Sequence, residues 1–263
     1  MVEKDLGHDA LGALGYQTKV LWDKGWGRTF GFESFDEFRK SVSEVIGEIS
    51  VYPSGHVLLK LITPFFAQTK VLWDKGWGTA LGFESLKDYR DSVRELAGNI
   101  PECPPVAYLN KLVLVDRRVQ LVDGCRMAHL KFIGSNETFK PYDSTSTKKH
   151  GDVYWMWCQD GQRNQNKKPS VCRTEFANLP KVGREVGLDE FEFVALYAQD
   201  PSVIGTKENP HYADLPNAVR QASFHSVAIG GYWLRDPGLN WHWSEDAIPR
   251  HGSASRWEPS PQS

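Results

Sequence analysis

Tryptophans beside cationic and amide side chains are the residues of this sequence that are best suited to bind another molecule. Trp155 and Trp157 alternate with apolar residues in VYWMWCQ, and Trp241 and Trp243 flank a histidine in WHW. Across Lys140–Arg173 the chain carries five Lys and two Arg against three Asp. Aromatic rings beside cations are how many proteins hold single-stranded nucleic acid. The pattern therefore predicts a binding surface.

The predicted surface joins these tryptophan strands to the basic, amide-rich loop Gln162–Lys168. We predict a non-enzymatic binding or interaction module, whose partner is single-stranded nucleic acid or another protein. In RHGSAS, Arg250 and His251 could hold an anion, although a simple turn is the favoured interpretation there. The predicted binding residues are Trp155, Trp157, Arg163, Asn164, Lys167, Lys168, Arg173, Trp241, Trp243 and Arg250.

A thiol- or histidine-dependent hydrolase or transferase, with its site near the Trp-rich sheet, is the alternative function. The candidate nucleophiles are Cys158, Ser223, Ser253 and Ser255, and the candidate bases are His225, His242 and His251. No G-x-S-x-G elbow surrounds any of these serines, so the motif evidence for an enzyme is weak. His242 alternates with Trp241 and Trp243, which predicts a half-exposed strand residue on the face opposite the two rings.

Cys125 and His129 are the candidate metal ligands. They lie four residues apart on a helix predicted over 121–130, and this spacing places two side chains on one face. Structural zinc sites usually draw on paired Cys-x-x-Cys motifs, and the sequence contains none. We therefore predict no metal and no cofactor, and we expect the four cysteines to be free thiols.

The segment QTKVLWDKGWG occurs at Gln17–Gly27 and again at Gln68–Gly78. At the same offset of 51 residues, 25 of the 46 aligned positions from residue 17 to residue 62 are identical, which indicates a duplication. Each copy predicts a helix, a turn at Gly25 or Gly76, a second helix and then a strand, in HVLLKLI or AYLNKLVLV. The repeated tryptophans are interpreted as core residues at a helix end.

The second half of the chain mixes helix and strand signals. GLDEFEFVALYAQDPSVIG predicts a helix with acidic residues in its first turn. SVAIGGYWL and WHW predict the two strands of a hairpin. The predicted fold is α+β, with two tandem helix-helix-strand repeats followed by a mixed domain that contains a Trp-rich antiparallel sheet. The predicted segments are an extension (1–16), repeat 1 (17–67), repeat 2 (68–118), the α+β domain (119–255) and a disordered tail (256–263).

The order of these motifs resembles a bacterial domain family of unknown function. The shared features are the helix LDEFEFVALYAQDPSVI, a strand ending in YWL, a W-x-W strand and a terminal GSAS. An opening Q-x-x-x-L-x-x-x-G-[WY] helix is matched from Gln68 to Trp77 and again from Gln17 to Trp26. The resemblance covers about residues 68–255, with the first repeat as an additional copy. It implies no activity and no catalytic residues.

Bulk composition leaves most function classes open. The 263 residues have a formal net charge of −2, so no overall field favours nucleic acid or a membrane. The segment MVEKDLGHDALGALG has no basic stretch followed by an apolar run, and HVLLKLITPFFA is too short to span a bilayer. We predict a cytoplasmic protein without membrane contact, because reduced thiols are usual in that compartment.

Overall fold

Helices and strands both build this chain, which confirms the predicted α+β class. The computed structural model describes residues 8–47, 55–133, 139–142, 151–220, 223–233 and 236–260. The α-helices of these residues are α1 (His8–Asp23), α2 (Trp26–Thr29), α3 (Phe35–Gly47), α4 (Gly55–Asp74), α5 (Trp77–Ala80), α6 (Leu86–Asp91), α7 (Leu121–Met127), α8 (Pro169–Glu175) and α9 (Glu190–Gln199). The strands are β1 (Lys111–Asp116), β2 (Lys131–Phe132), β3 (Phe139–Pro141), β4 (Val153–Gln159), β5 (Asn178–Leu179), β6 (Gly183–Gly187), β7 (Tyr212–Arg220), β8 (Ser223–Trp233), β9 (Asp236–Trp243), β10 (His251–Ser253) and β11 (Ser255–Pro259).

The chain divides into two compact units. The helical unit consists of the described residues of Met1–Asp74 together with Gly82–Ile100, and the mixed unit consists of those of Lys75–Leu81 and Pro101–Ser263. The predicted boundaries at residues 17 and 68 fall inside α1 and α4. They mark the ends of a duplicated sequence rather than the ends of structural elements.

Both copies of the repeated segment end a helix at a glycine in the left-handed conformation. The φ angle is 85° at Gly25 and 100° at Gly76, as the sequence predicted for Gly25. Glycine adopts this conformation without the steric penalty of a Cβ atom. The next helices, α3 and α6, begin after Ser34 and Ser85. The hydroxyl oxygen of each serine accepts a hydrogen bond from the backbone N–H three residues later, at Glu37 or Asp88, and so caps the helix.

The strand predicted at HVLLKLI is wrong, because this segment belongs to α4. Gly55–Asp74 is one helix of 20 residues with Pro64 inside it. A short apolar run carries no periodicity that separates a strand from a buried helix, and here the helix continues into the second copy of the repeat. In that second copy AYLNKLVLV does contain a strand, β1.

Two sheets form the framework of the mixed unit. Sheet A has the order β1-β4-β11-β6-β5, and all its neighbouring strands are antiparallel. Sheet B has the order β10-β7-β8-β9-β2, with β3 also paired to β7. The β8–β9 hairpin and the helix α9 confirm two sequence predictions. Helix α9 packs on one face of sheet B, where the Phe193 ring occupies the place that a Cβ atom on Gly230 would need.

The predicted disordered tail is wrong for residues 256–259, which belong to β11 in the middle of sheet A. Arg256 is completely buried, and its Nε lies 2.5 Å from a carboxylate oxygen of the equally buried Glu192 on α9. Glu192 also accepts a hydrogen bond from the Tyr154 hydroxyl of β4 at 2.9 Å. Arg, Glu and Pro give little strand signal, so the segment is ordered by its pairing with β4 and β6 together with these buried contacts.

Arg256→Leu should destabilise the protein by about 3–5 kcal/mol, because it leaves the buried Glu192 carboxylate without its closest cation. Urea denaturation followed by tryptophan fluorescence measures the free energy of unfolding. Arg126→Leu removes an exposed ion pair with Asp123 and should change this free energy by less than about 1 kcal/mol. Equal effects of the two substitutions would contradict the assigned position of β11.

Glu190, in the first turn of α9, is a buried carboxyl group. Burial, followed by the charge of the neighbouring Asp189, raises the pKa of Glu190 from 4.5 to about 8. No described residue makes a hydrogen bond to its Oε2 atom. Since the folded state raises this pKa, the folded protein binds the proton more tightly than the unfolded chain does.

The stability that the Glu190 proton contributes should therefore be complete below about pH 4.5 and be lost as the pH rises to about 8. The expected slope approaches about 1.4 kcal/mol per pH unit within this window. Glu190→Gln should reduce this slope, and the part that remains belongs to Asp189, whose pKa is also raised by burial. Urea denaturation at several pH values measures the slope. Glu208→Gln, at an exposed position, is the control, and its free energy of unfolding should follow the wild-type dependence on pH. Parallel pH curves for Glu190→Gln and the wild type would show that the burial of Glu190 does not affect stability.

Candidate functional site

One face of sheet B brings together three ionisable side chains from three strands. Asp214 lies on β7, and the register of β7, β8 and β9 pairs Asp214 with Ile229 and Ile229 with Asn240. His242 follows Asn240 by two residues and therefore shares that face, away from α9. His251 lies on β10, the parallel neighbour of β7. The sheet thus places one carboxylate between two imidazoles.

The three side chains are in direct contact and almost completely buried. Nε2 of His242 lies 2.7 Å from Oδ1 of Asp214, and Nδ1 of His251 lies 3.4 Å from the same oxygen. The two imidazole rings are 5.0 Å apart and nearly perpendicular. Asp214 is 0% exposed, and His242 is 9% exposed. His242 is therefore not the half-exposed residue that the sequence predicted.

The two histidines offset the effect of burial on the Asp214 carboxyl group. Burial by itself would raise the pKa of Asp214, but hydrogen bonding and charge from His242 and His251 lower it below the ordinary value. Among the described residues, no hydrogen-bond partner exists for Oδ2 of Asp214 or Nδ1 of His242, although both atoms are buried. One potential ligand atom from each of the three residues lies within 4.8 Å of the others. Buried polar atoms of native proteins are nearly always bonded. The three residues could therefore hold a metal ion between them.

The amide-rich loop Gln162–Lys168 donates hydrogen bonds to the backbone of β10. The side-chain amides of Asn164 and Gln159 both donate to the carbonyl oxygen of Ser253, at 2.8 and 2.9 Å. The backbone N–H of Asn166 donates to the carbonyl oxygen of His251 at 2.9 Å. Asn164 is 7% exposed, so its amide is unavailable to a nucleic acid. The amides that suggested a binding loop serve to position His251 and Ser253.

A hydroxyl and a thiol lie next to the cluster. Ser253 is fully buried and pairs with Asp214 in the β7–β10 register. Burial raises the pKa of the Cys172 thiol. Cys172 is therefore a neutral thiol at physiological pH, which does not favour it as a nucleophile.

The predicted thiol nucleophile lies elsewhere. Cys158 is fully buried in β4 of sheet A, and burial raises its pKa well above the ordinary value of a cysteine. Ser255 is also buried, and its hydroxyl donates to a carboxylate oxygen of Glu185. His225 and Ser223 belong to β8, but their side chains lie outside the described part of the chain. Of the predicted catalytic residues, the structure brings His242 and His251 together.

The predicted tryptophan surface is not assembled as one face. Trp155 is 6% exposed inside sheet A and cannot stack on a base. Trp157 is half-buried and donates its indole N–H to the carbonyl oxygen of Pro101 at 2.9 Å. Trp241 and Trp243 lie in sheet B, and of these two Trp243 is exposed, at 53%.

Four of the five predicted cations of this surface contact other side chains of the protein. Lys167 and Lys168 lie 2.7 and 3.9 Å from the carboxylates of Glu175 and Glu245. Arg163 and Arg173 cover the rings of Tyr108 and Tyr142, with the guanidinium carbon 3.6 and 4.0 Å from the ring centres. Arg250 is exposed and has a φ angle of 69°, immediately before β10.

The candidate metal ligands Cys125 and His129 do not lie on one face of a helix. Helix α7 ends at Met127, and His129 adopts a left-handed conformation with φ of 60°. Cys125 is buried whereas His129 is exposed, so the two side chains do not share a helix face.

Sequence reasoning missed Asp214. Its segment YADLPNAV contains Asp, Pro and Asn, which are all depleted in strands, and Pro216 argues against a central strand. The one available signal is an acid between Ala213 and Leu215, which are both buried. An acid in an apolar setting needs a partner, but the partners lie 28 and 37 residues away along the chain.

Comparison of the chain with protein-family models, with curated proteins and with solved structures finds no match. The resemblance to a bacterial domain family therefore stays a prediction. Among the residues that the structure describes, no helix combines the length and the apolar character needed to cross a membrane.

We expect Ellman's reagent to label one of the four thiols in the native protein, because Cys103 is exposed whereas Cys125, Cys158 and Cys172 are buried. Burial also raises the pKa of Cys125 to about 12. All four thiols should react after denaturation. Cys103→Ser should abolish the native signal, and rapid labelling of this variant would show that a buried thiol is reactive.

Proposed function

We propose that this protein binds a divalent transition-metal ion through Asp214, His242 and His251. The proposal rests on one observation: two imidazoles and a carboxylate, all nearly buried, present ligand atoms within 4.8 Å of one another. A buried carboxylate between two imidazoles without a cation leaves donor atoms unsatisfied, whereas a bound ion would use them.

Zinc fits this donor set best. Catalytic zinc sites combine two histidines and a carboxylate with an open fourth position. In such a site the ligand atoms are about 3.4 Å apart, given metal–ligand bonds of about 2.0–2.2 Å. The side chains would need to move by roughly 1 Å from the present arrangement. Ferrous iron accepts the same donor set, so the two ions must be compared directly.

Three protein ligands would leave a coordination position for water. A zinc-bound water becomes a nucleophile near neutral pH, which makes metal-assisted hydrolysis the reaction class that the site suits. Access is narrow, because His242 and His251 have side chains only 10% and 9% exposed. The proposed function thus agrees with the sequence-based alternative of a histidine-dependent hydrolase, but with a metal ion in place of a protein nucleophile.

The metal proposal is preferred over a single-stranded nucleic-acid module. Trp155 is buried and Asn164 bonds to β10, so two of the residues expected to contact bases are used inside the protein. A cytoplasmic location also stays a proposal. It is supported by the four cysteines, which are all free thiols, as is usual in a reducing compartment.

Isothermal titration calorimetry of the metal-free protein tests the proposal. The ions to be titrated are Zn²⁺, Fe²⁺ under anaerobic conditions, and Mg²⁺. Zinc should bind with a stoichiometry of one, and Mg²⁺ should not compete, because it prefers oxygen ligands. Asp214→Asn and His251→Gln should each weaken zinc binding at least about tenfold, since each removes or alters a ligand.

His211→Gln is the matched control. His211 is also buried in the mixed unit, but its ring nitrogens already lie 2.8 Å from the Asp160 carbonyl oxygen and 3.1 Å from the Gln165 amide. This variant should bind zinc with wild-type affinity. Unchanged zinc affinity in Asp214→Asn, or an equal loss in His211→Gln, would refute the assignment of the ligands.

A further inference from the structure

The helical unit contains a cavity whose walls come from both copies of the repeated sequence. Helix α3 of the first copy contributes Ser41 and Val45, and helix α6 of the second copy contributes Leu86 and Arg90. The cavity has a volume of about 40 Å³ and is partly open to solvent. A water molecule needs roughly 10–15 Å³ of such space, so the cavity holds a small group rather than a single solvent molecule.

The floor of this cavity is aromatic. It is formed by Phe32, Phe65 and Phe66, which are 5%, 1% and 1% exposed. Phe32 and Phe66 meet edge to face, with ring centres 5.2 Å apart. This phenyl floor offers an apolar surface to any group that enters.

Arg90 brings a positive charge into the same cavity. It is 6% exposed, and its guanidinium carbon lies 4.8 and 5.1 Å from the ring centres of Phe32 and Phe66. Nε donates to the Thr69 hydroxyl at 3.1 Å, and Nη2 donates to the carbonyl oxygens of Phe30 and Phe66. These bonds fix the plane of the guanidinium group. Among the described residues, none accepts a hydrogen bond from Nη1.

The charge of Arg90 lacks a direct counterion. No described carboxylate lies within ion-pair distance of its guanidinium group, and burial lowers the pKa of Arg90 to about 10. It is still a cation at neutral pH. The nearest acid by its electrostatic effect is Glu37, whose Oε2 accepts a hydrogen bond from the Glu33 backbone at 3.2 Å. A buried, unpaired charge is costly, so an anionic ligand would be stabilised here.

Four other charged side chains at the rim pair with one another. Asp91 pairs with Lys87 at 2.5 Å and with Arg94, and Arg94 also lies 3.2 Å from Glu44. With Glu37, three acids and three bases line the cavity, so the lining has no net charge. Arg90 is the base whose guanidinium group has no described carboxylate in ion-pair contact, and it is therefore the group that an anionic ligand would meet.

We propose that this cavity binds a small monocarboxylate with an apolar chain, whose carboxylate accepts hydrogen bonds from Arg90 and whose chain lies on the phenyl floor. Planar guanidinium and carboxylate groups match each other geometrically. The site lies wholly within the helical unit and includes none of the proposed metal ligands, so it is independent of the proposed metal function. The duplication would then have a functional product, because each copy supplies one wall.

Titration of the full-length protein with small ligands tests the proposal. The ligands are butyrate, hexanoate and hexanamide, and binding is measured by calorimetry or by the shift in melting temperature. Hexanoate should bind saturably and raise the melting temperature, with affinity increasing up to roughly fourfold for each methylene that becomes buried. Hexanamide has the same chain without the charge and should bind at least about tenfold more weakly. Equal binding of hexanoate and hexanamide, or no saturable binding of hexanoate, would overturn the proposal.

Two serine variants on α3 locate the site without disturbing Arg90. Ser41→Phe places a ring in the cavity and should abolish hexanoate binding, whereas Ser43→Phe places the same ring on the exposed side of the helix and should leave it unchanged. Arg90→Lys keeps the charge but loses the planar fork, and should weaken binding about tenfold or more. Wild-type affinity in Ser41→Phe, or equal loss in both serine variants, would place any binding elsewhere.

Discussion

The buried ion pair between Glu192 and Arg256 is the interaction on which the arrangement of the mixed unit depends. Removing two charges from water is expensive, and only close contact and further hydrogen bonds compensate for it. Here that contact ties α9 to β11 at the centre of sheet A. A single residue, Ala254, separates β11 from β10, which carries His251. The charge pair therefore helps to set the position of a proposed metal ligand in the other sheet.

The duplicated segment shows how one sequence serves two environments. Gly25 and Gly76 end their helices in the same left-handed conformation, because this local geometry depends on the segment itself. The equivalent arginines behave differently. Arg39 is exposed and lies 3.4 Å from Asp36, whereas Arg90 is buried among phenylalanines and backbone carbonyls. The identical sequence of the two copies thus determines the turn after each helix. Whether the equivalent arginine is buried depends instead on the tertiary contacts of its copy.

Local signals predicted much of the fold, and non-local contacts account for the rest. The α9 helix, the β8–β9 hairpin and the left-handed Gly25 follow from caps, alternation and glycine chemistry, which act over a few residues. The HVLLKLI segment was misjudged because an apolar run fits a helix and a strand equally well. His242 and His251 were recognised as candidates, but Asp214 was not, since its importance arises only when three strands align. No local sequence pattern predicts that these three strands align.

The central place of β11 in sheet A constrains the order in which the protein can be completed during synthesis. β11 separates β4 from β6, so no earlier strand occupies the gap between them. While residues 255–259 are still within the ribosome, β4 and β6 present facing edges that lack their shared neighbour, and exposed edges invite wrong pairing. These two edges therefore lack their shared neighbour until residues 255–259 have left the ribosome, whereas the helical unit includes none of these strands and does not depend on β11.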